Sequence, residues 1–124
     1  MRKVLLLGNR LFMKFPDFDY FQKRAAEVKA TVVSTEGMTD DQVLEEARDA
    51  EALVLIAYPV TKQLIDATTN CKLIMTMSVG YDVVNVDAAT AKGIPVSNCP
   101  VYCFEEVAEH AITLTLSLAR KLHE

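Results

Sequence analysis

The chain has 124 residues, of which 51% are hydrophobic and 24% charged, and its formal net charge is −4. This size and composition predict one globular domain and argue against a disordered chain. Basic residues never occur more than two in a row, so the cationic face that nucleic-acid binding needs is missing. No apolar run approaches the roughly 20 residues of a membrane-spanning helix.

The cysteines and the N-terminus point to a cytoplasmic location. Val4 to Leu7 is too short an apolar run for a signal peptide and is typical of a buried strand. Cys71, Cys99 and Cys103 are an odd set, which fits small buried or half-buried thiols in a reducing compartment. Cys99 and Cys103 are four residues apart, but no His or further Cys completes a metal site, so no metal is expected.

The hydrophobic pattern predicts five strands, each followed by a helix or helical turn. Continuous apolar or β-branched runs give strands at 3–8, 30–34, 52–57, 73–77 and 94–97. Helical spacing gives helices at 17–30, 40–50, 62–67, 86–92 and 104–123. Thr39 with Gln42 forms the pattern of a capping box, and Thr61 is the expected N-cap of the third helix.

The strands indicate how these elements assemble. They are apolar throughout instead of alternating, which predicts a parallel sheet buried on both faces between two helical layers. Right-handed crossovers then favour a doubly wound α/β fold with the strand order 2-1-3-4-5.

Ligands of such sheets bind outside the carboxyl ends of the strands. There the chain places the turns 8–10, 57–60, 78–82 and 97–100. In the turn from Ser78 to Asp82, Gly80 permits a positive φ or a close ligand approach, and the neighbouring amides would suit an anion such as a carboxylate. The alternative is that Gly80 only makes a tight turn before Asp82.

Several functions of this architecture are excluded by missing residues. A phospho-receiver domain needs acidic residues after its first and third strands, and a flavodoxin needs a Ser/Thr/Gly-rich phosphate loop after the first. The four glycines form no GxGxxG fingerprint, so no nucleotide site is visible. No nucleophilic triad is evident either. His110, beside Glu106 and Glu109, is a proton carrier or, more simply, a surface or interface histidine, and His123 lies at the frayed helix end.

The helix at 104–123 carries two adjacent apolar stripes, whereas a surface helix needs only one. One stripe comprises Val107, Ala111, Leu114, Leu118 and Leu122, and the other comprises Ala108, Ile112, Thr115, Leu116 and Ala119. The helix is therefore either a central core helix or, as we favour, a contact with another domain or with a second copy.

Several motifs of residues 72–122 together resemble the D-isomer-specific 2-hydroxyacid dehydrogenases. They are Ser78–Asp82, Val86-Asp87, Lys92–Val96, Asn98, Val101-Tyr102 and Glu105–Ala111. The Pro100-Val101-Tyr102 turn is most similar to the D-lactate dehydrogenase branch. Over residues 1–71 the resemblance is weaker, although the order of elements agrees.

The resemblance implies a flavodoxin-like substrate domain at 1–103, incomplete here, and at 104–124 a connecting helix toward an NAD-binding Rossmann domain. It implies that the amides of Val79 and Gly80 bind the substrate carboxylate, with Tyr58 near the substrate and Tyr102 lining the active site. The catalytic Arg, Glu and His of the family have no matching position, and His110 does not match the histidine. We therefore expect no catalytic residue and no bound cofactor on this chain.

Two hypotheses follow from the resemblance. In the first, the chain is the N-terminal portion of an NAD-dependent enzyme that reduces 2-oxo acids, and the gene continues into a Rossmann fingerprint. In the second, a stop codon follows Glu124, and the chain is a binding or assembly module that self-associates or pairs with a separate NAD domain. In both, the isolated chain should be inactive and oligomeric through its last helix. The 2-hydroxy acid and the choice between NAD and NADP are not encoded here.

Overall fold

A five-stranded parallel sheet organises the computed structural model, which describes residues 2–8 and 18–122. The strands are β1 (Arg2–Gly8), β2 (Ala30–Ser34), β3 (Ala52–Ile56), β4 (Leu73–Thr76) and β5 (Val96–Ser97). The helices are α1 (Phe18–Glu27), α2 (Asp40–Ala47), α3 (Lys62–Ala67), α4 (Val86–Ala91) and α5 (Phe104–Ala119). The order β2-β1-β3-β4-β5 confirms the predicted doubly wound α/β fold. The expectations for Asn9, Arg10, Asp17 and His123 fall outside the described residues.

The core lies between the sheet and the layer formed by α2, α3 and α4. Leu5 and Leu7 of β1, Leu53 and Leu55 of β3 and Ile74 of β4 are fully buried in it. The connection from β1 to β2 runs in one direction along the sheet, and the later connections run in the opposite direction. Because such connections are right-handed, α1 lies on the opposite face of the sheet from α2, α3 and α4.

The expectation that every strand is buried on both faces was only partly right. It holds in β1, where the consecutive Leu5, Leu6 and Leu7 are all buried. In β3 and β4 burial alternates, and Val54 and Met75 are only half-buried. The physical reason is that α1 contributes no buried residue and packs chiefly against β2, so the rest of its face is incompletely covered.

Helix ends follow the capping chemistry of the sequence. Thr39 and Gln42 form the predicted reciprocal capping box, and Thr61 accepts a bond from the Leu64 amide. After α4, the Gly93 amide donates to Thr90 O and the Ile94 amide to Ala89 O, both over 2.9 Å, which is a Schellman motif.

Several predicted boundaries were wrong. Helix α2 ends at Ala47 instead of residue 50, and α5 ends at Ala119 instead of residue 123. The fifth strand was expected from residue 94, but the Schellman motif uses the Ile94 amide, and Pro95 has no N–H, so β5 begins at Val96. The first helix ends at Glu27 because Lys29 adopts a positive φ of 56°, which leaves Val28 exposed outside it.

A lysine joins two helices at the amino end of the sheet. The Lys92 ammonium donates to Ile65 O over 2.8 Å, to Asp66 O over 3.2 Å and to Thr68 O over 2.7 Å. It thereby satisfies carbonyls at the C-terminus of α3, where a cation also opposes the helix dipole favourably.

We expect Lys92→Met to lower the free energy of unfolding by about 1–3 kcal/mol, because the hydrogen bonds to a charged group are lost. Lys62→Met is the matched control, since among the described residues the Lys62 ammonium pairs only with the exposed Asp66 carboxylate one turn away on α3. The control should lose about 0.5 kcal/mol or less. Urea unfolding of both variants measures the difference. An equal loss of unfolding free energy in both would mean that the hydrogen bonds of Lys92 do not stabilise the fold.

Helix α5 has no buried residue, which contradicts a role as the core helix of this domain. Its large apolar side chains are more than half exposed, from Leu114 at 51% to Val107 at 65%. Five polar residues lie within about one third of its circumference, and the remainder is apolar apart from Glu105 and Thr115; the five are Glu106, Glu109, His110, Thr113 and Ser117. Among the described residues no helix is long and apolar enough to cross a membrane.

Candidate binding site at the carboxyl end of the sheet

Every carbonyl of the turn from Ser78 to Gly80 is held by a protein donor. The Cys99 amide donates to Ser78 O over 3.0 Å, and the Asn98 side-chain Nδ2 donates to Val79 O over 2.7 Å. Gly80 O accepts the Ser78 hydroxyl over 2.8 Å. The strand β5 and the residues after it thus fix the backbone of the β4–α4 turn.

Fixed carbonyls also fix the amides. Because a peptide unit is planar and trans, its N–H points opposite to its C=O. Holding Ser78 O therefore orients the Val79 amide, and holding Val79 O orients the Gly80 amide. Within residues 2–8 and 18–122 neither amide has an acceptor, so both remain available to a ligand.

The side-chain hydroxyl groups of Thr76 and Ser78 stabilise this turn. Thr76 is fully buried at the end of β4, and its Oγ1 lies 2.6 Å from Ser78 Oγ and 3.4 Å from Gly80 O. A buried hydroxyl is stable only where it is hydrogen-bonded, so Thr76 favours this one conformation of the turn.

The reason for a glycine at position 80 is steric. A positive φ was one expectation, and it was wrong, because the positive-φ glycines of the described chain are Gly37 and Gly93. A Cβ at Gly80 would lie 3.3 Å from Asp82 Oδ2. The glycine therefore leaves the exposed turn open and makes room for the Asp82 carboxylate.

The turn that contains Tyr58 is attached to the same loop. The Val60 amide donates to Val83 O over 2.8 Å and Val60 O accepts the Asn85 amide over 3.0 Å, which forms a parallel bridge between Val60 and Val84. Ala57 has φ +48°, a sparsely populated conformation that a non-glycine residue adopts only where the surroundings impose it. Tyr58 is half-buried against the core.

Two cavities lined by described residues lie at this end of the sheet. One of about 350 Å³ lies between α2, α3 and the turn of Tyr58 and Pro59. A second, of about 230 Å³, is lined by Tyr81, Asn98 and apolar side chains of β5 and α4. The predicted residues Val79, Gly80 and Tyr58 thus belong to loops that the structure joins directly.

Tyr102 lies apart from that bridge, at the start of α5, and is 61% exposed. A hydrogen bond with the Cys103 side chain is the main cause that raises the pKa of Tyr102 above its usual value, and nearby Glu106 adds to it. At neutral pH the hydroxyl therefore stays protonated and able to donate. Cys103 itself has φ +56° and turns the chain into α5.

No catalytic histidine joins the site in the part of the chain that the structure describes. His110 lies on the polar side of α5 and forms no ion pair with Glu106 or Glu109 among those residues. The same residues contain no cluster of His, Cys, Asp and Glu that would hold a metal. Cys71, Cys99 and Cys103 are free, half-buried thiols, as predicted.

The sequence interpretation did not assign Thr76, Ser78 or Asn98 a role in the site. The signal for the first two was present, because hydroxyl residues interrupt an apolar strand at alternate positions before Gly80. Asn98 comes from a different strand, and only the β4–β5 pairing brings it to Val79 O.

Comparison with known proteins identifies the family. Residues 11–120 match the family of D-isomer specific 2-hydroxyacid dehydrogenases, catalytic domain. D-3-phosphoglycerate dehydrogenase of Archaeoglobus fulgidus is 36% identical over 105 residues, which are 84% of this chain and 19% of that protein. Glyoxylate reductase of Thermococcus litoralis is 36% identical over 83 residues, 66% of this chain and 25% of that protein.

A solved structure is similar over nearly the whole chain. D-Lactate dehydrogenase of Aquifex aeolicus, complexed with NAD and lactic acid, superposes with a TM-score of 0.78 at 27% identity, over 95% of this chain and 34% of that chain. The matched region thus spans about a fifth to a quarter of the length of the two curated relatives above and about a third of this structure. Membership of the D-lactate dehydrogenase branch stays a prediction, because the two curated relatives above are a D-3-phosphoglycerate dehydrogenase and a glyoxylate reductase.

The family match over most of the chain, the shared fold and the motifs around Val79 and Gly80 agree with one another. This chain belongs to the D-isomer-specific 2-hydroxyacid dehydrogenase family and corresponds to its substrate-binding, catalytic-domain portion.

Proposed function

We propose that this domain anchors the carboxylate of a small 2-oxo or 2-hydroxy acid on the amides of Val79 and Gly80. The observation that supports this most strongly is the turn in which the Ser78, Val79 and Gly80 carbonyls are held by the protein while two successive amides are left without an acceptor. Successive backbone N–H groups form a preferred site for an anion, and bonds to a charged acceptor are the stronger kind.

The tyrosines complete the proposed site. Tyr58 is held next to the turn through the bridge between Val60 and Val84. The Tyr102 hydroxyl is a neutral donor at the other margin, where it would contact the substrate once a second domain closes over the cleft. Both are proposed as binding residues, and neither is proposed to take up or release a proton.

The proposed reaction of the complete enzyme is the reversible reduction of a 2-oxo acid, with hydride supplied by a nicotinamide cofactor. The residues of this chain do not fit that cofactor, because the four glycines form no phosphate-binding fingerprint. We therefore assign this chain only the binding and orientation of the acid, and we expect it to be inactive alone in its proposed cytoplasmic location.

Helix α5 is the proposed contact with the cofactor-binding part, whether that part is in the same chain or a separate one. The large apolar side chains of α5 are more than half exposed, and burying each of them against a partner would contribute about 1.5–3 kcal/mol. In isolation, the apolar side of α5 is expected to associate with a second copy.

Titration with pyruvate, followed by amide NMR, tests the carboxylate site. We expect the largest shifts at Val79 and Gly80, with a dissociation constant on the order of 1 mM, because the proposed site offers two neutral backbone amides in a turn that is exposed to water. Acetone, which has the keto group but no carboxylate, is the control and should shift neither amide. Shifts that avoid these two amides, or an equal response to acetone, would contradict the proposal.

A further inference from the structure

Among the strands of residues 2–8 and 18–122, β2 forms one edge of the sheet and pairs only with β1. Thr35 donates its amide to Leu6 O over 3.1 Å, and the period of two along a strand places Thr31 and Val33 in the same orientation. The backbone N–H and C=O groups of Ala30, Val32 and Ser34 therefore point outward, along the open edge.

This edge lacks the usual protection against further pairing. Exposed edges are commonly blocked by proline, by a charged side chain within the strand or by a bulge. The sequence of β2, Ala-Thr-Val-Val-Ser, contains no proline and no charge, and its pairing with β1 is regular over five residues.

A groove runs beside the edge, between β2 and α1. Its volume is about 420 Å³, the largest of the three cavities described here, and it is lined by Gln22 and Ala26 of α1 and by Lys29, Ala30, Thr31 and Val32. Ala26 and Ala30 are small, so the space above the outward-facing backbone is open to a side chain. A strand added at the edge would direct every second side chain into this groove.

One end of the groove is cationic. Lys29 is held at φ 56° immediately before β2 and lines the groove. On α1, Arg24 is paired with Glu27 over 2.9 Å, whereas Lys29 forms no ion pair within the described ranges 2–8 and 18–122. The groove thus offers a cation to a bound segment.

We propose that the β2 edge and α1 form a binding groove for an extended peptide that carries a small apolar residue and, near it, an aspartate or glutamate. The backbone of the peptide pairs with Ala30, Val32 and Ser34, its apolar side chain fills the space against Ala26, and its carboxylate binds Lys29. This is strand addition to a sheet edge beside a helix. Pairing with the β2 edge of a second copy is the alternative that the experiments below distinguish.

Selection of peptides from a random displayed library on the full chain tests the proposal. Ala26→Arg fills the groove at an exposed position of α1 with a good helix former, and leaves the other surfaces, including α5, unchanged. Peptides retained by the full chain are passed over this variant, and those that do not bind it are kept. We expect the kept peptides to share an apolar residue close to an acidic one.

The bound position and the charge preference are then measured on one selected peptide. Amide NMR should show shifts at Ala30–Ser34 and cross-strand contacts from the peptide to that edge. Lys29→Glu should weaken binding at least about tenfold, whereas Lys23→Glu, the same change on α1 outside the groove, should weaken it less than about twofold.

Several results would overturn the proposal. They are the recovery of no peptide that distinguishes the two chains, shifts confined to other surfaces, and equal losses in Lys29→Glu and Lys23→Glu. Contacts between the β2 strands of two copies in the absence of peptide would show instead that the edge pairs with a second copy.

Discussion

The chain with Leu114→Glu and Leu118→Glu is expected to sediment as a monomer at concentrations where the unmodified chain is a dimer or larger. Both leucines are more than half exposed on the apolar side of α5. Burying one such side chain contributes about 1.5–3 kcal/mol. Removing two from each copy should therefore weaken self-association at least about a hundredfold, as measured by analytical ultracentrifugation.

The matched control adds the same charges one position earlier, on the polar side of the helix. Thr113→Glu with Ser117→Glu keeps the spacing of four residues and leaves both leucines in place. We expect this chain to associate like the unmodified one. A monomeric unmodified chain, or equal dissociation in both double variants, would show that the apolar side of α5 is not the contact.

Asn98→Asp is expected to weaken pyruvate binding at least about tenfold, or about 1.4 kcal/mol. The change replaces the Nδ2 donor that holds Val79 O at 2.7 Å with a carboxylate oxygen that repels it. The Val79–Gly80 peptide unit then loses its fixed orientation, and a negative charge lies close to the proposed anion site. Asn98→Ala, which adds no charge, should weaken binding about three- to tenfold.

Ser97→Asp distinguishes charge from orientation, because it adds the same charge one residue earlier without touching Val79 O. We expect a smaller loss from it than from Asn98→Asp. Pyruvate titrations give the affinities, and thermal unfolding shows whether each variant keeps its fold. Unchanged affinity in a folded Asn98→Ala would mean that Asn98 does not position the amides.

Local chemistry made much of the fold predictable. The apolar runs located all five strands, and the capping residues Thr39 and Thr61 located the starts of α2 and α3. The strand order followed from right-handed crossovers. The predicted boundaries were less accurate. The Schellman motif uses the Ile94 amide, so β5 starts later than predicted, and the positive φ of Lys29 ends α1 earlier.

The candidate site was predictable only in its position along the chain. Ser78–Gly80 was identifiable as a turn after an apolar strand. The conformation of this turn depends on residues that are distant in the sequence. The Asn98 side chain donates to Val79 O and the Cys99 amide donates to Ser78 O, and the pairing of β4 with β5 brings these groups together. The incomplete cover of β3 and β4 was missed for a similar reason. An apolar strand has the same sequence pattern whether its second face is covered by its own chain or by something else.

The position of the substrate carboxylate is the most direct test of the proposed site. A crystal structure of the chain with pyruvate would locate it. We expect the carboxylate oxygens within about 2.7–3.2 Å of the Val79 and Gly80 amide nitrogens, the range of N–H···O hydrogen bonds. A carboxylate bound elsewhere, with these two amides hydrogen-bonded to protein or water, would contradict the account.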